Sequence, residues 1–289
     1  MKGKVKFAEP MRGHTTFAVG GPAEAWVEPR DIEDLKNLMV FVKKHKLNYL
    51  VVGKGSNIIV KDRGVRGLVI NLSRYFRKID NLSNGIEVQA GLDLSDLLWQ
   101  LEKNGLTGLE FLKGIPGTVG GVIWMNAGLA DKNIGEFVSR VKIINEKGEM
   151  KEFNSDQLQF AYRKTILPES GVIFEVTLKL AGGSKKTVKQ VGQAYFQRKM
   201  ESQPLSFASA GCIFKNPDGK PASVLIDKLN LKGCRQGGAE ISSQHANFII
   251  KKGETKAADI LGLIRIIERK VKEKQGINLE KEIVVVGED

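Results

Sequence analysis

Short strand-like runs and amphipathic helical stretches alternate along the whole chain without repeating, and that order predicts a mixed α+β fold. Residues 25–29 read as a strand. Asp31 stands at a helix start, with Asp34 three residues on. Ile32, Leu35, Leu38, Met39 and Val42 then recur at helical spacing to about Lys46. Further strands are expected at residues 49–52, 58–60, 68–72, 86–90, 141–144, 172–178, 247–250 and 283–286. Asp93 is expected to cap a helix carrying Leu94, Leu97, Leu98 and Leu101, stopped by Gly105. Helices are also expected at 184–202, at about 222–229, and at 257–275 with Gly276 closing the last. A chain of 289 residues suggests about two domains, or one with an insertion. A second segment starts near residue 73, and a break falls at Ala181-Gly182-Gly183-Ser184.

Composition excludes several classes. Hydrophobic residues make up 42% and charged residues 27%, enough apolar material for a real core, so a disordered chain is excluded. No run approaches the roughly 18 apolar residues of a membrane span. The first ten residues lack the apolar centre of a secretory signal, so none is expected. Two cysteines, Cys212 and Cys234, point to a reducing compartment, the cytoplasm. His14, His45 and His245 lie far apart and no His/Cys cluster has ligand spacing, so no metal is expected. The 45 basic residues outnumber the 33 acidic ones, a net charge of +12. They are spread out, without a Lys/Arg block or interleaved aromatics. Attraction of small polyanions or a solvated basic surface therefore explains them better than a nucleic-acid partner does.

Two glycine-rich stretches are the main chemical signals. Gly53-Lys54-Gly55-Ser56-Asn57 is not a Walker A loop, because only Lys54 separates its first Gly from the second and no helix follows. It is not a Rossmann fingerprint either, because Ile58 stands where the third Gly belongs. What remains is a turn between strands, plain or aimed at an anion through successive N–H groups. In Gly114-Ile115-Pro116-Gly117-Thr118-Val119-Gly120-Gly121, Pro116 stiffens a loop that glycines let approach a ligand. If a helix begins at Thr118, its free N–H groups are expected to form a phosphate site. Two such loops without catalytic or metal residues suggest a bound dinucleotide such as FAD. Tyr162-Arg163, Ala210-Gly211-Cys212-Ile213-Phe214-Lys215-Asn216-Pro217 and Leu279-Glu280-Lys281-Glu282 are three further local signals. Each also reads as ordinary surface or packing.

Taken together these motifs, with His14-Thr15-Thr16-Phe17-Ala18-Val19-Gly20-Gly21-Pro22, Met125-Asn126-Ala127-Gly128, Gly237-Gly238-Ala239 and His245-Ala246-Asn247-Phe248-Ile249, resemble one family over nearly the whole chain. That family is UDP-N-acetylenolpyruvoylglucosamine reductase, in its shorter type without an extra tyrosine loop. The two glycine loops alone would indicate only the wider class of FAD-binding (PCMH-type) domains. The Tyr-Arg pair, the cysteine segment and the terminal Glu, in that order, are the specific part. Two positions depart from the family: Cys212 replaces a usual serine, and Leu129-Ala130-Asp131 replaces the Ala-Tyr-Gly that often follows Asn-Ala-Gly.

The resemblance implies two FAD-binding subdomains, 1–72 and 73–182, and a substrate-binding domain, 183–289, whose last strand returns to the active site. It implies an FAD-dependent oxidoreductase that uses NADPH to reduce the enolpyruvyl ether of the UDP-sugar in peptidoglycan precursor synthesis. It also implies Gly53, Lys54, Gly55, Ser56, Asn57, Gly114, Ile115, Pro116, Gly117, Thr118, Gly120, Gly121, Asn126, Ala127 and Gly128 around the cofactor. Tyr162, Lys215, Asn216 and His245 are expected at the substrate, Lys215 and Asn216 at its diphosphate. Hydride added at the methylene carbon leaves negative charge on the neighbouring carbon and its carboxylate. Arg163 suits that charge as a permanent forked cation, Glu282 as a protonated acid, and Cys212 as the proton donor. A monomer is expected. The alternatives are another flavin oxidase on the same FAD domain, with His14 the candidate for tethered flavin, a hydrolase built on Cys212, His245 and Asn247, and a basic nucleic-acid module.

Overall fold

The computed structural model describes residues 1–129, 132–217 and 220–289. Ala130 and Asp131, part of the departure after Gly128, lie outside the described residues. The chain forms two compact units, each assembled from separate stretches. One contains Met1–Phe7, Ala25–Lys54 and Gly67–Arg198; the other contains Ala8–Glu24, Gly55–Arg66 and Lys199–Asp289.

In the first unit, helix α1 (Ile32–Lys44) begins where the sequence signal places it. The Asp31 carboxylate accepts the Asp34 N–H at 2.8 Å. Asp34 is itself buried, and the amides of Lys2, Gly3 and Arg30 satisfy its carboxylate at 2.9, 2.7 and 3.0 Å. The apolar stripe Leu35, Leu38, Met39 and Val42 enters the core. Tyr49–Val51 pairs in parallel with residues 68–70. A five-stranded sheet follows, in the order Met150–Asn154, Val138–Asn145, Gly171–Lys179, Gly85–Gln89, Ile79–Leu82, with every neighbour antiparallel. Val141, Ile143, Val88 and Val176 face the core, while Lys142 bonds Glu87 at 2.9 Å and Glu175 at 2.7 Å. Helix α2 (Leu94–Asn104) buries Leu94, Leu97, Leu98 and Leu101 and ends at Gly105 in left-handed backbone, φ +68°. Asp93 holds its N-cap position without a side-chain cap bond. Its carboxylate pairs with Lys54 at 2.9 Å instead, so the expected capping role is taken over by an ion pair. Helix α3 (Val119–Trp124) completes this unit's core, and helix α4 (Lys185–Ser202) follows the break at 181–184.

The second unit is built on helices α5 (Ala222–Asp227) and α6 (Ala257–Gln275). Ile260, Leu263, Ile264, Ile267 and Val271 of α6 pack with Phe17, Ile59, Ile213, Phe214, Ile241 and Ile249. Asp62 accepts the first two amides of α6, from Ala257 and Ala258, at 2.8 and 3.0 Å. Arg235–Gln236, Ala239–Ile241 and Ile249–Lys251 form an antiparallel sheet. The terminal strand Val284–Val286 pairs in parallel with Ile58–Val60. The architecture is α+β, as the alternation of elements predicts. No helix among the described residues is long and apolar enough to cross a membrane.

Candidate active site

The loop 114–121 is sewn to the turn before α2. Leu94 N–H reaches the Gly117 carbonyl and Val119 N–H the Leu92 carbonyl, both at 2.9 Å. Gly120 N–H donates to the Ala90 carbonyl at 2.8 Å, and Gly121 N–H to the Thr118 hydroxyl at 3.4 Å. The first three amides of α3 therefore already have partners, and the helix is only six residues long. The expected phosphate site at its N-terminus is thus corrected: those donors are consumed within the fold. The free donors lie just before it. Among the described residues, the amides of Gly117, Thr118, Gly53, Lys54 and Gly55 donate no hydrogen bond, although Gly117, Thr118 and Gly55 are buried. Buried backbone donors are almost always paired, so those of Gly117 and Thr118 in the first unit and of Gly55 in the second are exceptions. The two loops meet in the first unit. A side chain at Gly53 would run into the Thr118 hydroxyl, which explains glycine there. Lys54 contributes little free charge, because its ammonium is paired with Asp93.

Gly55, in the second unit, has φ +60°, and a Cβ on it would strike the His14 carbonyl. Its own carbonyl accepts the Thr16 N–H at 3.2 Å. Gly55→Val combines a left-handed strain of about 1–2 kcal/mol with that collision. It is expected to give folded protein with much reduced flavin content, measured as flavin absorbance per protein. Full flavin occupancy with only turnover lost would show that this loop does not hold the cofactor.

Asn126 is buried, with φ +40°. Its Nδ2 donates to the Ala161 carbonyl at 2.9 Å, and its Oδ1 accepts the Gly135 N–H at 3.0 Å. Ala127 accepts the Ile134 N–H at 2.9 Å, and Gly128 stands opposite Asn133 in a short antiparallel pair. The side chain of Asn126, expected around the cofactor, instead has both polar ends bound to protein and is turned to a hairpin that the sequence did not announce: Gln159–Ala161 against Lys164–Ile166. Tyr162 and Arg163 form its two-residue turn. Arg163 has φ +57°, a region that an L-residue rarely occupies without cause. Its guanidinium lies 4.9 Å from the centre of the exposed Tyr162 ring. The Thr165 hydroxyl donates to the Ile123 carbonyl of α3 at 2.5 Å.

Cys212 and Glu282 lie in the second unit, 70 positions apart, and the backbone brings them together. Glu282 N–H donates to the carbonyl of Ile213, next to Cys212, at 2.8 Å. Asn57 of the first glycine loop donates to the Glu282 carbonyl at 3.1 Å and accepts the Val284 N–H at 3.0 Å. Cys212 stands opposite Phe248, and Ile213 N–H reaches the Asn247 carbonyl at 2.9 Å. The buried Asn247 amide is occupied by the Phe214 peptide, accepting its N–H at 3.0 Å and donating to its carbonyl at 2.8 Å. It is not available to orient His245, and the Cys212-His245-Asn247 hydrolase is set aside on that ground. His245 stacks edge-on against Phe248 at 4.8 Å, and its buried Nδ1 has no partner among the described residues. Burial, then the charge of Lys232, hold its pKa below the usual imidazole value, so the ring is neutral at neutral pH. Lys215 is paired with Glu280 at 2.5 Å, and Asn216 accepts the Ala222 N–H at 2.9 Å, shaping the turn into α5. The Asn57–Glu282, Asn126–Ala161 and Asn247–Phe214 links escaped sequence reasoning, because asparagine carries no signal of which distant peptide it will bind.

Residues 23–154 match the family model described as FAD binding domain. Residues 203–286 match that described as UDP-N-acetylenolpyruvoylglucosamine reductase, C-terminal domain. The UDP-N-acetylenolpyruvoylglucosamine reductase of Clostridioides difficile (strain 630) is 40% identical over 289 residues, covering 100% of this chain and 95% of that protein. That of Bacillus pumilus (strain SAFR-032) is 37% identical over 289 residues, covering 99% and 95%. The crystal structure of the Thermus caldophilus reductase matches with a TM-score of 0.85 at 36% identity, covering 99% of this chain and 100% of that one. Matched from end to end by proteins of this one description, in sequence and in fold, the chain belongs to the UDP-N-acetylenolpyruvoylglucosamine reductase family.

Proposed function

We propose that this chain reduces the enolpyruvyl ether of UDP-N-acetylglucosamine to UDP-N-acetylmuramate, with NADPH as reductant and FAD as bound cofactor, in peptidoglycan precursor synthesis. The observation that carries the reading is the backbone bond from Glu282 to Ile213, which brings the chain at Glu282 next to the chain at Cys212 and so supports a shared role for the two. The residues present fit FAD. Four unclaimed amides of the first unit, of Gly53, Lys54, Gly117 and Thr118, would hold its diphosphate. Ser56, Asn57, Gly114, Ile115, Pro116, Gly120, Gly121, Ala127 and Gly128 would shape the loops around it. The chemistry FAD would supply when bound is hydride transfer, from NADPH to the methylene carbon of the enolpyruvyl group.

The chain's own residues do the rest. Arg163 forks onto the substrate carboxylate and meets the negative charge that develops beside it. Glu282, as the neutral acid, shares that charge by hydrogen bonding. Cys212 transfers its thiol proton to the carbon bearing the carboxylate, and the thiolate recovers a proton from solvent. Lys215 exchanges Glu280 for the substrate diphosphate, assisted by Asn216, while Tyr162 and neutral His245 contact the substrate.

The division into 1–72, 73–182 and 183–289 belongs to this reading, supported by a five-stranded sheet that lies wholly within residues 79–179. So does a cytoplasmic location, supported by two free cysteines, and with it action as a monomer without nucleic-acid or membrane partners. The purified protein is expected to show a flavin absorbance band that NADPH bleaches and the enolpyruvyl substrate restores. A colourless protein, or a bleached band that the substrate leaves unchanged, would overturn the reading.

A further inference from the structure

We infer that Asn126 is a positioning residue for Arg163, clamping the base of the turn from which the guanidinium projects. The inference rests on the role given to Arg163 above. Arg163 sits on a two-residue turn joining strands of three residues each, with φ +57°. So short a hairpin is marginal by itself, and a non-glycine residue in left-handed backbone costs about 1–2 kcal/mol. Something must over-determine the turn. Three contacts do so, all within the first unit. Asn126 donates to the carbonyl of Ala161, the residue just before the turn, at 2.9 Å. Thr165, two residues after it, donates to Ile123 at 2.5 Å. Gly135 completes the clamp: its N–H is held by Asn126 Oδ1 at 3.0 Å, and a Cβ on it would press on the Phe160 ring and on that same oxygen.

Asn126 fits this place in a way few residues can. It needs one donor and one acceptor on a short planar group, in a buried site at φ +40°. Asparagine also tolerates positive φ better than most residues. Because Ile123 and Asn126 belong to the segment that continues from the 114–121 loop, the clamp ties the arginine turn to the same helix that ends that loop. The side chain therefore holds the strand that leads into the Arg163 turn, with both polar ends committed to protein.

Asn126→Asp and Asn126→Ala separate this from a general structural role. Aspartate keeps the acceptor for Gly135 but, when ionised, sets a carboxylate against the Ala161 carbonyl. When protonated it regains a donor, and burial raises the pKa at which that happens. The ionisable side chains on the segments around it, Lys132, Glu136, Tyr162, Arg163 and Lys164, are the same in both proteins. Asn126→Asp is expected to keep its flavin and its reduction by NADPH. Its affinity for the enolpyruvyl substrate, measured by calorimetry, is expected to fall about tenfold or more at alkaline pH and to recover as pH falls, while the wild type changes little. Asn126→Ala is expected to be weak at every pH, with faster hydrogen exchange confined to residues 159–166. Substrate binding unchanged in Asn126→Ala, loss of flavin in either variant, or no acid recovery in Asn126→Asp would each overturn the inference. Arg163→Ala is measured alongside. If that variant binds and reduces the substrate normally, the role of Arg163 itself fails, which is a different result from Asn126 variants that alone behave as wild type.

Discussion

Cys212→Ala is expected to accept hydride from NADPH at close to the wild-type rate and then to stay reduced when the enolpyruvyl substrate is added. In the proposed reaction the thiol acts only after hydride has reached the methylene carbon, so its loss would leave the first half-reaction alone. Removing a positioned proton donor costs about 10²–10⁴ in the step it serves, and that factor is expected in flavin reoxidation by stopped-flow absorbance. The segment around Cys212 is fixed by peptides and by Asn247: Ile213 to Asn247, Phe214 to the Asn247 amide, and Glu282 back to Ile213. These backbone and amide bonds remain in the alanine variant, and its fold is checked by thermal unfolding. Cys212→Ser is expected to retain substantial activity, since a hydroxyl can stand in the same place. The two donors differ in pH response. A thiol, with a reference pKa of about 8.5, ceases to be a donor once ionised. The native protein is therefore expected to lose activity as pH rises through the thiol pKa, and the serine variant to lack that limb. Normal reoxidation in Cys212→Ala would leave Cys212 as a packing residue opposite Phe248.

What the sequence shows of this fold is what is local. The periodicity of Ile260, Leu263, Ile264, Ile267 and Val271 bounds α6 at Ala257–Gln275, as expected from the pattern alone, and Asp31 and Gly105 mark a start and a stop because capping acts within one turn. The hairpin at 159–166 is invisible because its turn, Tyr162-Arg163, has no glycine or asparagine to betray it, and its strands are three residues long. The parallel pairing of Val284–Val286 with Ile58–Val60 is invisible because the partners are more than 200 positions apart. The same divide runs through the site. That residues 53–57 and 114–121 can let a ligand come close is expected from glycine content alone. Which amides remain free is not, because it depends on carbonyls of Ala90 and Leu92 that come from a different turn. Hence the donors lie at Gly117 and Thr118 rather than at the start of α3. Asp93 shows the same effect: its cap position is right, but Lys54 claims its carboxylate.

Arg163→Gly is expected to slow reduction of the enolpyruvyl substrate by about 10²–10³, the usual cost of removing one group that meets charge in the transition state, without lowering stability appreciably. Arginine holds φ +57° at the turn, and a glycine there escapes the left-handed penalty of about 1–2 kcal/mol. Against that, glycine loses about 0.5–1 kcal/mol more backbone entropy on folding. The stacking on the exposed Tyr162 ring, worth about 0.5–1 kcal/mol at such a site, is lost as well. These terms nearly cancel, so thermal unfolding is expected to shift by only a few degrees. A residue retained for stability would not sit where glycine serves as well; one retained for its guanidinium would. Arg163→Lys keeps the charge but cannot fork onto a carboxylate, and is expected to fall between the wild type and the glycine variant. The measurements are calorimetric unfolding and the rate of flavin reoxidation by substrate. If Arg163→Gly unfolds much earlier yet turns over normally, the arginine is holding the turn rather than the substrate, and the left-handed backbone at this position has lost its functional explanation.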